Sequence, residues 1–107
     1  MKNYTKIEKH YYEDDSSILY RTMYYNDEDQ IHRTDGPAIE WADGSKAWVI
    51  NNNYHRIEGP AEIYVDGDTI RKFYSINNKR YSEQDFNNHP EVITYRNEQK
   101  LKEKLGL

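Results

Sequence analysis

Residues 32–44, HRTDGPAIEWADG, return at residues 55–67 as HRIEGPAEIYVDG. A repeat this short constrains the fold more than any chain average, because each copy is one small supersecondary unit that buries its apolar face only against a neighbour. The two copies pair Asp35 with Glu58, Gly36-Pro37-Ala38 with Gly59-Pro60-Ala61, Trp41 with Tyr64, and Asp43-Gly44 with Asp66-Gly67. WVINN at 48–52 then matches YSINN at 74–78, so the second copy is three residues longer, in its returning strand or its turn.

Each copy reads as a β-hairpin. PAIEWA and PAEIYV run in, KAWVI and TIRKFYSI return, and the Asp-Gly pairs between them predict type I′ turns with positive φ at both central positions. Trp48 with Ile50, and Ile70 with Tyr74 and Ile76, share faces at the period of two that a half-buried strand shows. Pro37 and Pro60 lack an amide donor and suit the first position of a strand, where no ladder bond is lost. Asparagines 51–53 and 77–78 supply turn formers after the returning strands.

Upstream, residues 4–12 and 18–25 predict two more strands joined by the polar turn EDDSS, and MYYNDEDQIHR holds the place that WVINNNYHR holds later. Downstream the period changes. Ser82 caps a short helical turn, with Asp85 three residues on, and Asn88 or His89 caps a longer helix that has Pro90 at its first position. Val92, Ile93 and Tyr95 are expected to dock on the sheet, while Leu101 and Leu105 fall on another side of the helix. The expected fold is mainly β, an antiparallel meander of about six strands with a C-terminal α-helical segment, α+β overall. It forms one domain, 1–107: a degenerate hairpin at 1–29, hairpin repeats at 30–81 and C-terminal helices at 82–107.

A polar composition, with mean hydropathy −1.20, is compatible with folding here because eleven tyrosines and two tryptophans bury ring area while keeping polar tips wet. The net charge of −4 has its signs interspersed and shows no basic stripe, which argues against direct nucleic-acid binding. The absence of cysteine excludes disulfides and thiolate metal sites. With no apolar leader and no run of membrane-spanning length, a cytoplasmic protein is the expectation.

The stretch HRTDGPAIEWADGSKAWVINNNYHRIEGPA resembles a family of small repeat proteins found mainly in bacteriophages and some bacteria. Its units run His-Arg-x-Asp-Gly-Pro-Ala, then a strand, an Asp-Gly turn and a Trp-Tyr strand ending in Asn-Gly. The resemblance covers residues 30–86, about half the chain, and includes INNKRYSEQDF as the closing segment. Glu58 departs from the family's Asp, and Asn52 and Asn78 stand where the family prefers Gly. The resemblance implies a hairpin array and a phage setting in a host cell's cytoplasm, and it carries over no catalytic residue.

His32, Arg33, Asp35, Gly36 and Pro37, with His55, Arg56, Glu58, Gly59 and Pro60, include the residue types of acid–base chemistry. Their recurrence at one place in a repeat favours a structural turn, in which Arg pairs with the acid and His packs beside the strands. No catalytic residue is expected. Four scattered histidines make no metal site, and no cofactor is expected. The chemistry left over is aromatic. LYRTMYY is apolar on both alternating faces, so Tyr20, Met23, Tyr24, Tyr25, Trp41, Trp48 and Tyr64, with the acidic Asp27, Glu28 and Asp29, are the candidate partner contacts. The leading expectation is a non-enzymatic protein-binding module that modulates a host defence or nucleic-acid-handling protein. Alternatives are a nucleotide-sequestering protein with Arg33, Arg56 or Arg71 at phosphates, and a structural protein assembling through its strand edges.

Overall fold

A computed structural model of the chain describes residues 3–107; Met1 and Lys2, the start of the first hairpin region, lie outside the described residues. The strands are β1 (Lys6–Tyr11), β2 (Leu19–Tyr25), β3 (Ile39–Trp41), β4 (Lys46–Ala47), β5 (Val49–Ile50), β6 (Asn53–Tyr54), β7 (Glu62–Asp66), β8 (Thr69–Ile76) and β9 (Lys79–Tyr81). Helices α1 (Glu83–Asn87) and α2 (Pro90–Leu105) follow. Seven strands make one antiparallel sheet in the order β1-β2-β3-β4-β7-β8-β9, and β5-β6 form a separate two-stranded hairpin. The fold is mainly β with a helical C-terminus, as the repeat implied. The strand count exceeds six because the asparagine turns close hairpins of their own, β5-β6 and β8-β9.

Those asparagines hold the type I′ turns. Asn51 and Asn52 (φ 47 and 66) link Ile50 to its partner Asn53, and Asn77 and Asn78 (φ 50 and 67) link Ile76 to Lys79. The Asp-Gly pairs correct the expectation, since among their turn residues only the glycines have positive φ. Between β3 and β4 the loop is four residues, 42–45, with the Gly44 amide donating to the Trp41 carbonyl at 3.1 Å and Gly44 alone at positive φ, 96. Between β7 and β8 the strands pair as far as Asp66 and Thr69, so Asp66 ends a strand and Gly67 (φ 60) opens a two-residue turn of the II′ pattern. One dipeptide therefore makes two different turns, because the longer second copy carries its ladder further.

Each I′ turn is braced by the neighbouring unit. The Asn52 side-chain oxygen accepts from the Ile31 amide at 2.8 Å, and that of Asn78 from the Tyr54 amide at 3.2 Å. Asn52→Ala places an L-residue with no compensating side-chain bond at positive φ and removes this cap. An expected loss of about 2 kcal/mol follows, against about 1 for Asn52→Gly, which keeps the φ and loses only the cap. Urea unfolding of the two variants measures the difference.

The prolines sit two residues before β3 and β7 rather than at their first positions; the first ladder donors are the amides of Ala38 and Ala61, to Ala47 and Phe73 at 2.9 Å each. Alternation and register place Met23, Tyr25, Ile39, Trp41, Ala47, Glu62, Tyr64, Arg71 and Phe73 on one face of the sheet. Thr22, Tyr24, Glu40, Lys46, Ile63 and Lys72 lie on the other. On the first face Met23, Ile39 and Ala47 join Ala38 and Val49 in a buried core, with Tyr25, Ile31, Trp41 and Tyr54 packed around it. The β5-β6 hairpin thus supplies the cover that a single sheet needs.

A second core joins Ile76 to Phe86 of α1 and Val92 of α2, ringed by Ile57, Tyr74 and Tyr81. Ser82 caps α1, accepting from the Asp85 amide at 3.1 Å, and His89 caps α2 through Nδ1, accepting from the Glu91 amide at 3.1 Å. Val92 docks and Tyr95 is half-buried, but Ile93 corrects the expectation: it faces solvent, as do Leu101 and Leu105. Docking at the first turns of α2 leaves most of its length projecting from the sheet.

Candidate functional site

The recurring His-Arg-x-acid-Gly-Pro segment builds the same device twice. The Arg33 and Val49 backbones are joined at 3.1 Å, and those of Arg56 and Ser75 at 3.0 Å, so each segment crosses from one hairpin to the next. His32 is buried and its Nδ1 accepts from the Asn51 amide at 3.1 Å; His55 accepts from Asn77 at 3.0 Å. Both histidines therefore hold I′ turns. The arginines fold back over their own loops, donating to the carbonyls of Pro37 and Pro60 at 3.2 and 3.1 Å. The glycines lie close under them: a Cβ at Gly36 would lie 2.9 Å from the Arg33 guanidinium carbon, and one at Gly59 3.2 Å from Arg56 Nη1, so a larger residue there requires the arginine head to move.

Each guanidinium also covers a ring of the preceding strand region, Arg33 over Tyr24 at 4.2 Å and Arg56 over Trp48 at 3.6 Å. Their charges are treated differently. Arg33 pairs with Asp35 at 2.9 Å and with Glu40 at 3.3 Å. Among the described residues Arg56 has no carboxylate within ion-pair distance, and its buried Nε has no hydrogen-bond partner. The expectation that Arg pairs with the acid in each copy thus holds for the first and is corrected for the second. Ile63 occupies the repeat position of Glu40, and Glu58 makes no ion pair with Arg56. Desolvation lowers the Arg56 pKa, and Glu58 offsets this only in part.

The hydrogen bond from Arg33 holds the Asp35 carboxyl below the usual carboxylate range. A folded pKa below the unfolded one stabilises the fold above the ordinary aspartate range, and that contribution is lost as pH falls through the folded value. Asp35→Asn should therefore lower Tm relative to the native chain above roughly pH 5, with the gap closing toward roughly pH 2. Thermal melts of both proteins across that range test it.

The ten aromatic and acidic candidates do not form one surface. Met23 is corrected outright: it is 7% exposed, in the first core, because the β5-β6 hairpin covers its face. Tyr24 and Trp48 lie beneath the arginines, and Tyr25 packs on the first core under Lys6. Tyr20 is exposed and meets Tyr12 edge to face. Asp27, Glu28 and Asp29 form a tight exposed loop, in which Asn26 Oδ1 accepts from the amides of Glu28 and Gln30.

Trp41 and Tyr64 do come together. They are 5.9 Å apart between ring centroids, with the small, buried Ser45, just before β4, between them, and Phe73 continues the row at 6.0 Å from Tyr64. Arginines frame it: Arg21 stands opposite Trp41, Arg71 opposite Tyr64, and Arg80 covers Phe73 at 4.0 Å. Arg80 also pairs with the buried Glu62 at 3.3 Å, and Glu62 accepts from the Tyr64 hydroxyl. Burial first, and then this bond, push the Tyr64 pKa far above its ordinary value, so the hydroxyl stays a donor. Arg21, Phe73 and Arg80 were not legible as site residues, and Arg71 was named only as a phosphate contact of the nucleotide-binding alternative. The alternation of Arg71 and Phe73 in TIRKFY was a usable signal, but only the register sets them beside Tyr64 and Trp41.

Among the described residues no group of three or more His, Cys, Asp or Glu is placed to hold a metal ion, and no helix is long and apolar enough to cross a membrane. No family model, curated protein or solved structure matches the chain.

Proposed function

We propose that the chain is a non-enzymatic protein-binding module that grips its partner with the arginine-framed row Trp41, Tyr64 and Phe73. The carrying observation is the row itself: three half-buried rings set by sheet register with Arg21, Arg71 and Arg80 around them. Trp, Tyr and Arg on a rigid support are the residues in which interface energy concentrates, because they present large area at small entropic cost. The rings touch one another in tilted and edge-on contacts, and Arg80 covers Phe73. That geometry favours a protein surface over single-stranded nucleic acid, whose bases need open ring faces for stacking.

The resemblance to phage repeat proteins makes a host or phage protein the expected partner, and inhibition of a host defence or nucleic-acid-handling enzyme the expected effect. Affinity capture from the native host, comparing the native chain with a Tyr64→Ala, Arg71→Glu double variant of unchanged circular dichroism, tests the reading. A specific protein should be recovered by the native chain and its affinity should fall more than about 30-fold in the variant, the effect of losing about 2 kcal/mol at a hot spot. Equal recovery by both, or no specific recovery, defeats the proposal.

A further inference from the structure

On the sheet face opposite the aromatic row, the loop at 34–37 and the loop at 56–58 flank a cleft floored by Trp48. One hollow of about 340 Å³ is lined by Arg33, Thr34, Trp48, Ile50, His55, Arg56, Ile57 and Glu58, and a second shares Thr34, Trp48, Arg56 and Glu58 with it. We propose that this cleft is a carboxylate-binding site, in which a ligand carboxylate takes the place on Arg56 that Asp35 and Glu40 take on Arg33.

The two copies of the repeat act as an internal control. At matched positions, with matched proline-carbonyl bonds and matched ring contacts, one guanidinium forms ion pairs with two acids and the other forms none, Glu58 acting on it only from beyond ion-pair distance. An isolated, partly buried cation is unfavourable, and a bound anion relieves it. Ile63 in place of Glu40 removes one internal acid on that side, and Glu58, which lines the same hollow, stays outside ion-pair distance of Arg56. A second donor joins Arg56 in lining the hollow: because His55 Nδ1 accepts from the Asn77 amide, the ring proton sits on Nε2.

The surroundings narrow the ligand. Asp35, Glu40 and Glu58 outnumber the two arginines, which disfavours a doubly charged phosphate more than a singly charged carboxylate, and Arg56 is the one guanidinium of the two without an ion pair. Trp48, Ile50 and Ile57 suit the short apolar stem that a glutamate side chain or a small aliphatic acid carries. Arg56 alone, of the arginines named for phosphates in the nucleotide-binding alternative, thus keeps a ligand role.

Propionate, with propionamide as its uncharged isostere, tests the site in ¹⁵N-labelled protein through the Arg56 Nε–H and Trp48 indole N–H resonances. Saturable shifts of both are expected with propionate and none with propionamide. Ile63→Glu restores the missing acid, facing Lys46 and Lys72 across the ladder. It should weaken propionate binding at least tenfold, while a Tyr64→Ala, Arg71→Glu variant binds propionate as the native chain does. The absence of saturable shifts in the native chain, equal shifts with propionamide, or tighter binding of inorganic phosphate overturns the assignment. The native-chain titration depends on no variant folding, and its failure would leave the aromatic-row proposal standing.

Discussion

Phe86→Ala is expected to lower stability by about 3–5 kcal/mol, the range for removing a buried aromatic ring, and Tm by roughly 20 °C. Phe86 is fully buried and stacks on Tyr74 at 4.8 Å between centroids, with Ile76 and Val92 completing its cluster. Few residues share that core, so there is little to collapse into the space left behind. Both helices depend on it: α1 is five residues long and cannot persist alone, and α2 buries only Val92. Thermal unfolding followed at 222 nm should therefore show reduced helical signal in the native baseline as well as an earlier transition. A loss under about 1 kcal/mol would mean that the helices are held elsewhere.

The second large effect is an asymmetry between equivalent residues. Arg33→Met is expected to cost about 2 kcal/mol, between the values for exposed and buried pairs, because it removes the ion pairs of Asp35 and Glu40, whose side chains are 47% and 38% exposed, and leaves Glu40 its bond from the Tyr24 hydroxyl. Arg56→Met, at the same place in the repeat, is expected to change stability by less than about 1 kcal/mol. It sheds a charge held in no ion pair while losing the contact with Trp48 and one bond to the Pro60 carbonyl. Parallel denaturant titrations decide it, and equal losses would show that the local charge balance differs little between the copies.

Much of this architecture was legible because short-range chemistry dictates it. Ser82, His89 and Pro90 mark helix starts through bonds made within three residues of themselves, and the repeated spacing of His, Arg, Gly and Pro specifies a loop returning on itself. The turn types were less legible. Asp-Gly carries the strongest local preference for a I′ turn, yet the ladder between Asp66 and Thr69 leaves only Gly67 and Asp68 to turn, while Asn51-Asn52 and Asn77-Asn78 meet the I′ requirement with side-chain caps from the next unit. Met23 and Ile93 went the other way for the same kind of reason. Period shows which residues share a side, and only the packing of the β5-β6 hairpin and the docking of α2 decide which side is covered.

The candidate sites lie furthest from the sequence. Trp41, Tyr64 and Phe73 belong to three strands, and their meeting depends on a register summed over β3, β4, β7 and β8. The contrast between Arg33 and Arg56 depends on Glu40 and Ile63, seven residues along each copy and on a different strand. The sequence by itself determined that the chain is a hairpin array with a helical end, since glycine, proline, asparagine and capping residues act on their own backbone. Only the tertiary structure decided which arginine is neutralised and which rings face outward, because burial and charge pairing are set by what the next hairpin places across the gap.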